Sequence, residues 1–227
     1  MQVVFLAGGR ATRLGPFGGG LPKALQPVAG LPLLDRLLAA AAEFGLSRTH
    51  LCLGHLHELI LEHLRGRGVP FTYSLDDLPG GAGTAGALRA AEPHLEDSFV
   101  IWLADTIPVG AAAGPALPPP SAVASMLVAE EVPGVTPNVV VADGRVVRYD
   151  KGGPAGARFV DAGLYSAHRS LLRYLPPGKV DLEELWPRLI ELGLLHADAA
   201  EGTFLDIGTP ERLAKAEAVL TDGLTHA

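Results

Sequence analysis

The sequence predicts an α/β protein, a three-layer α/β/α fold on a mixed and predominantly parallel sheet, with a smaller β-rich extension in its second half. Three observations predict it. Short apolar runs alternate with helical stretches up to about residue 105, the order expected of parallel strands joined by crossover helices. The run Ser98-Phe99-Val100-Ile101-Trp102-Leu103-Ala104 reads as a central strand that stops at an acid, Asp105. Beyond about residue 120 the segments become short and strand-like, with a hairpin signal at Asp143-Gly144.

The first element is the apolar run Val3-Val4-Phe5-Leu6, a buried strand close to the first residue. It leads into Leu6-Ala7-Gly8-Gly9-Arg10-Ala11-Thr12-Arg13-Leu14, and Lys23 follows in Leu21-Pro22-Lys23-Ala24-Leu25. A Gly pair lets backbone N–H groups come close to an anion, and the following cations neutralise it. This pattern predicts a site for a nucleoside triphosphate. Pro32 to Phe44 then reads as a helix with Pro near its first turn and Gly45 as its stop. Thr49-His50-Leu51-Cys52-Leu53 is the second strand, Leu56 to about Arg65 a helix, and Phe71-Thr72-Tyr73-Ser74 a third strand. The turn Pro79-Gly80-Gly81-Ala82-Gly83 opens a helix for which the Thr84 hydroxyl suits an N-cap.

Asp105 closes the central strand, and in open α/β sheets ligands sit beyond the carboxyl ends of strands, so this carboxylate is expected over the site. Val109 to Pro120 is rich in Pro and Ala and reads as loop or irregular helix. Strands are expected at Ala122–Val128, Asn138–Val141, Val146–Tyr149 and Arg158–Ser166, then helices near His168–Tyr174 and Leu182–Leu192. The last strand, Gly202 to Asp206, runs into Gly208-Thr209-Pro210-Glu211 and a helix to about Leu220, with Thr209 as N-cap and Pro210 at its first position.

Composition narrows the function classes. The 227 residues, without a Ser/Gly linker or charge block, are expected to form one unit, 1–227, with residues 1–108 approximating a nucleotide-binding half and residues 109–227 a half for the second substrate with a closing helix. A hydrophobic content of 48% with 19% charged residues and a mean hydropathy of +0.27 describes a packed chain. No apolar run approaches the roughly 18 residues of a membrane span, and no signal peptide precedes the first strand, so a cytoplasmic protein is expected. Cys52 stands alone, which leaves neither a disulfide framework nor a Cys-based zinc site. A net charge of −7 argues against a general nucleic-acid surface, so anionic substrates must be captured by local charge. Lysine is scarce, limited to Lys23, Lys151, Lys179 and Lys215.

Read in chain order, the motifs resemble those of the sugar-1-phosphate nucleotidyltransferases, in particular the short bacterial guanylyltransferase-like members that act on mannose or heptose 1-phosphate. Leu6 to Leu25 is similar to the phosphate-binding signature and Gly83-Thr84-Ala85-Gly86-Ala87-Leu88 to the nucleotide-side helix start. Ala104-Asp105 is similar to the first metal carboxylate, and Asp150-Lys151 to the acidic-Lys sugar-phosphate motif. Asp161-Ala162-Gly163-Leu164-Tyr165 is similar to the sugar-contacting strand, and Phe204-Leu205-Asp206-Ile207-Gly208-Thr209-Pro210-Glu211 to the closing motif. The family usually has Gly at Ala11, Asn-Gly-Asp at Leu103-Ala104-Asp105, Glu-Lys-Pro at Asp150-Lys151-Gly152, and Asn at Asp161. This last exchange puts a carboxylate in place of an amide that can donate.

The resemblance implies an enzyme that joins an NTP to a sugar 1-phosphate and releases pyrophosphate. Asp105 and Asp206 would hold Mg²⁺, Arg13 and Lys23 would neutralise the triphosphate, and Lys151 would grip the acceptor phosphate. Ala7, Gly8, Gly9, Gly83 and Thr84 would approach the nucleotide, with Asp161 and Gly163 near the sugar. GTP is the first choice, UTP and dTTP the next, and a nucleotide-sugar-binding module without turnover is the alternative of another class. A dinucleotide-dependent oxidoreductase is disfavoured, since Gly8 to Arg13 lacks the three-Gly spacing of that fingerprint. A phosphate monoester is already largely dianionic at neutral pH, so the acceptor needs no activating base and catalysis reduces to positioning and charge neutralisation. His50, His55, His57 and His63 are expected in surface or capping roles, and Trp102 and Trp186 in the core.

Overall fold

The computed structural model describes residues 1–9, 20–76, 81–110 and 114–225. The expectations placed on Arg10 to Leu14, Arg13 and Ala11 among them, and on Pro79 and Gly80, lie outside the described residues. In chain order the strands are β1 (Gln2–Leu6), β2 (Pro27–Val28), β3 (Leu31–Pro32), β4 (Arg48–Leu53), β5 (Phe71–Leu75), β6 (Ser98–Leu103), β7 (Thr106–Val109), β8 (Ala124–Ala129), β9 (Val139–Ala142), β10 (Arg145–Tyr149), β11 (Val160–His168), β12 (Leu195–Ala199) and β13 (Thr203–Asp206). The α-helices are α1 (Leu33–Glu43), α2 (His57–Arg67), α3 (Gly83–Ala90), α4 (Trp186–Glu191) and α5 (Pro210–Thr225).

Among the described residues, nine strands form one mixed sheet in the order β5-β4-β1-β6-β11-β8-β12-β10-β9. The first four run parallel, and β11 then pairs antiparallel with both β6 and β8. Alternation along the strands divides the apolar residues between two faces. Val3 and Phe5 of β1, with Val100 and Trp102 of β6, pack with α1 and α2 residues such as Leu34, Leu37, Ile60 and Leu64. Val4 and Leu6, with Phe99 and Ile101, pack on the other face with Ala85 and Leu88 of α3 and with Trp186 and Leu189 of α4. Both tryptophans are fully buried and Cys52 is a free, buried thiol.

α1 forms because Leu33, Leu34, Leu37, Ala40 and Ala41 fall on one stripe, and it stops where Gly45 takes φ +70°. Helix formation is weaker than expected in two places. Residues 169–174 adopt a 3₁₀ helix, tied down where Arg169 donates to the carbonyls of Leu95 and Glu92. The helix expected over 182–192 splits into a 3₁₀ turn at Leu182–Glu184 and α4, because Pro187 has no N–H and fits only a first helical turn. β2, β3, β7 and β12 form where the sequence predicts no strand. The final strand, β13, lies outside the main sheet and pairs antiparallel with β7. Pro108 cannot donate to a central ladder, which suits β7 to a two-stranded ribbon.

The strand order reverses between β1 and β6, the place where an open α/β sheet leaves a crevice at its carboxyl edge. Leu6 pairs with Leu103, so the Gly8-Gly9 loop and Asp105 emerge side by side.

Candidate active site

The loop after β1 lies against the loop after β4. A Cβ built on Gly54 would come within 2.8 Å of the Gly8 carbonyl oxygen, so glycine is required at this approach. Lys23 begins a 3₁₀ turn closed by Leu25 N–H donating to Pro22 O at 2.9 Å. From there its Nζ reaches Asp105 Oδ2 at 2.9 Å, with side chains 17% and 33% exposed. Asp105 sits in a tight turn between β6 and β7, braced by Trp102 Nε1 donating to Thr106 O at 2.9 Å. The ribbon brings in the second acid, since Asp206 lies opposite Thr106 and Ile207 N–H donates to Asp105 O at 2.9 Å. Asp206 Oδ1 accepts from Gly208 N–H at 2.6 Å, and its Oδ2 accepts from Arg212 Nη1 at 3.0 Å.

On the other side of the crevice β11 is bulged between Asp161 and Tyr165. Gly163 takes φ +72° there, and a Cβ on it would lie 2.6 Å from Thr106 Oγ1, so the bulge packs directly against the Asp105 turn. Asp161 supports the bulge: its Oδ1 accepts from Gly163 N–H at 2.9 Å and its Oδ2 from Tyr165 OH at 2.8 Å. Burial raises the Asp161 carboxyl to about 6, with those two hydrogen bonds pulling it back. Burial likewise raises the Tyr149 and Tyr165 phenols, reinforced by the nearby Asp161 charge. Lys151 forms an ion pair with Glu183.

These groups line one cavity of about 1000 Å³, as large as small-molecule sites usually become. Ala7, Gly8, Gly9, Lys23, Gly83, Thr84, Asp105, Lys151, Asp161, Gly163 and Asp206 all border it, so the described residues singled out by sequence converge. Three of the four lysines, Lys23, Lys151 and Lys179, line the same space.

The MobA-like NTP transferase domain family matches residues 3–140. The chain belongs to that family. Among curated proteins it is 34% identical over 109 residues to the UTP–glucose-1-phosphate uridylyltransferase AglF of Haloferax volcanii, covering 47% of this chain and 44% of the relative. It is 27% identical over 233 residues to a UTP–glucose-1-phosphate uridylyltransferase of Synechocystis sp., covering 92% of this chain and 60% of the relative. The chain therefore spans about half the length of the curated relatives it matches. Among solved structures, the inositol-1-phosphate CTP transferase of T. maritima superposes with a TM-score of 0.81 at 18% identity, covering 97% of this chain and 94% of that one, a likeness of fold.

In this MobA-like domain the donor chemistry fits magnesium. Mg²⁺ is commonly held by one or two carboxylates completed by substrate phosphate and water. Asp105 and Asp206 supply hard oxygen donors from adjoining strand ends, and no group of three or more acidic, His or Cys side chains suited to a metal forms among the described residues.

Two expectations are corrected. Thr84 does not cap α3: the helix begins at Gly83 after Ala82, without a cap from a neighbouring side chain. Thr84 N–H instead donates to Asp181 Oδ1 at 2.9 Å, its hydroxyl to the same oxygen at 3.2 Å, and Leu182 N–H donates to Thr84 Oγ1 at 2.7 Å. The cap comes from a distant carboxylate. His50 is not a surface or capping residue. It is fully buried, its ring nitrogens 2.8 Å from Thr72 Oγ1 and 3.1 Å from Ser74 Oγ, and burial lowers it to about 4. Several cavity residues carry no clear sequence signal for the site, Arg212, Asp181 and Glu183 among them. Arg212 had a faint signal, a cation one turn into the helix that follows Asp206.

Proposed function

We propose that this domain transfers a nucleotidyl group from an NTP to a sugar 1-phosphate, releasing pyrophosphate. The observation that carries the reading is the Lys23–Asp105 pair at 2.9 Å beside the Gly8-Gly9 loop, with Asp206 brought alongside by the ribbon. In the reaction the acceptor phosphate oxygen forms a bond to the α-phosphorus and the bond to the leaving pyrophosphate breaks. Lys23, and Arg13 on the residues' sequence alone, neutralise the triphosphate and its leaving group. Lys151 receives the acceptor phosphate in place of Glu183, with Asp161 and Gly163 shaping the sugar side. Asp105 and Asp206 would hold Mg²⁺, which supplies charge neutralisation at the phosphates. For the base, the names of the curated relatives favour uridine ahead of the guanosine that the motif resemblance puts first.

A pyrophosphate-release assay over UTP, GTP, dTTP and CTP, each with glucose, mannose and heptose 1-phosphates and Mg²⁺, tests the reading. One pair should turn over, with UTP tried first. Lys23→Ala and Asp105→Ala should each reduce kcat by on the order of a hundredfold or more. Nucleotide-sugar binding without turnover for any pair would identify a binding module instead. Wild-type rates in either variant would remove the proposed active centre.

A further inference from the structure

Both proposed metal carboxylates already carry a cation. Lys23 is paired with Asp105 at 2.9 Å and Arg212 with Asp206 at 3.0 Å. Arg212 belongs to the first turn of α5, where Arg212 N–H donates to Thr209 Oγ1 at 3.3 Å, and its side chain borders the cavity. Arg212 is not needed to aim the carboxylate. Gly208 N–H fixes Asp206 Oδ1 at 2.6 Å, and a Cβ on Gly208 would lie 2.9 Å from that oxygen, so the backbone sets the carboxylate's orientation. What Arg212 adds is charge, and charge of the wrong sign for a metal ion approaching the same carboxylate.

A polyphosphate changes that balance. Its oxygens offer a guanidinium a bidentate partner at least as good as a carboxylate, and they bring more negative charge than the metal cancels. We propose that Arg212 is an exchangeable counter-ion: it neutralises Asp206 until a nucleotide arrives and then turns to the polyphosphate, freeing Asp206 for the metal the nucleotide carries. The Lys23–Asp105 pair is the same device on the first carboxylate. The cavity thus discriminates against free divalent metal and admits it together with nucleotide. The inference rests on the nucleotidyltransferase reading and adds a residue that contacts the nucleotide phosphates.

The test is Mn²⁺ binding measured by electron paramagnetic resonance on the whole chain, with and without UTP, repeated with GTP. Arg212→Met should tighten free Mn²⁺ binding by roughly threefold to tenfold, since it removes a like charge beside the site. The same variant should weaken Mn²⁺–nucleotide binding by roughly tenfold, since the phosphates lose a cation. Arg212→Lys, which keeps the charge, should leave free Mn²⁺ affinity at the wild-type value. If Arg212→Met weakens both, Arg212 merely supports Asp206; if it changes neither, it is a surface charge. Either result overturns the proposal. Opposite shifts in a chain that turns over no sugar phosphate would count against the enzymatic reading while leaving the role of Arg212 standing.

Discussion

Burial at the site opposes ionisation of Asp161. Its carboxyl is raised from 3.8 to about 6 by burial, so between those values the folded chain binds more protons than the unfolded one. Stability contributed by this group is therefore present at acid pH and lost as pH rises through about 6. Above that, holding the charge costs on the order of 1 to 3 kcal/mol. Asp161→Asn keeps an oxygen to accept from Gly163 N–H and offers an amide that can donate to the Tyr165 oxygen, so the bulge survives. Urea unfolding at pH 8 and pH 5 should show the variant gaining on wild type at pH 8 by about that amount, with the gain shrinking towards pH 5. An equal difference at both pH values would mean that Asp161 bears no cost of ionisation.

At the scale of elements, the two sides of the cavity are tied by the turn at 181–184. Asp181 caps α3 through Thr84, and Glu183, two residues on, holds Lys151. Thr84→Val keeps the shape and removes the hydroxyl, leaving Leu182 N–H without its acceptor at 2.7 Å. The expected loss is about 1 to 3 kcal/mol, read as a shift of the urea midpoint, together with a larger fold-rise in KM for the sugar phosphate, passed on through Glu183 and Lys151, than in KM for the nucleotide. A midpoint unchanged from wild type would dissolve the tie. The same elements explain what was legible beforehand. α1 and the parallel strands announce themselves because burial on a helix stripe or a sheet face imposes a local period. Asp105 was legible for a related reason, being an acid where an apolar run stops. β12 was not, since Leu195-His196-Ala197-Asp198-Ala199 carries few residues of high β-propensity and becomes a strand by pairing with β8 on one side and β10 on the other. Asp181 and Glu183 could not be read either. Their roles depend on partners far along the chain, and no local spacing encodes such a pairing.

For the molecule as a whole, one sheet passes through both halves, and the cavity is built from each. The join is the ladder of β6 with β11, where Leu164 pairs with Trp102 and Tyr165 with Ile101. Behind it the two buried tryptophans mark the halves separately: Trp102 stacks on Phe44 and lies tilted against Phe5, and the Trp186 ring centroid is 4.8 Å from that of Tyr165. A ladder buried on both faces leaves neither half an edge it could expose at low cost, so the halves should unfold as one cooperative unit. Trp186→Phe leaves Trp102 to report the first half, and Trp102→Phe leaves Trp186 to report the second. In each variant the urea midpoint from fluorescence should coincide with that from far-ultraviolet circular dichroism, which follows the whole chain. A fluorescence midpoint displaced from the dichroism midpoint in either variant would mean that the halves separate, and the charged groups facing one another across the cavity would then owe their alignment to docking of two units and not to a continuous sheet.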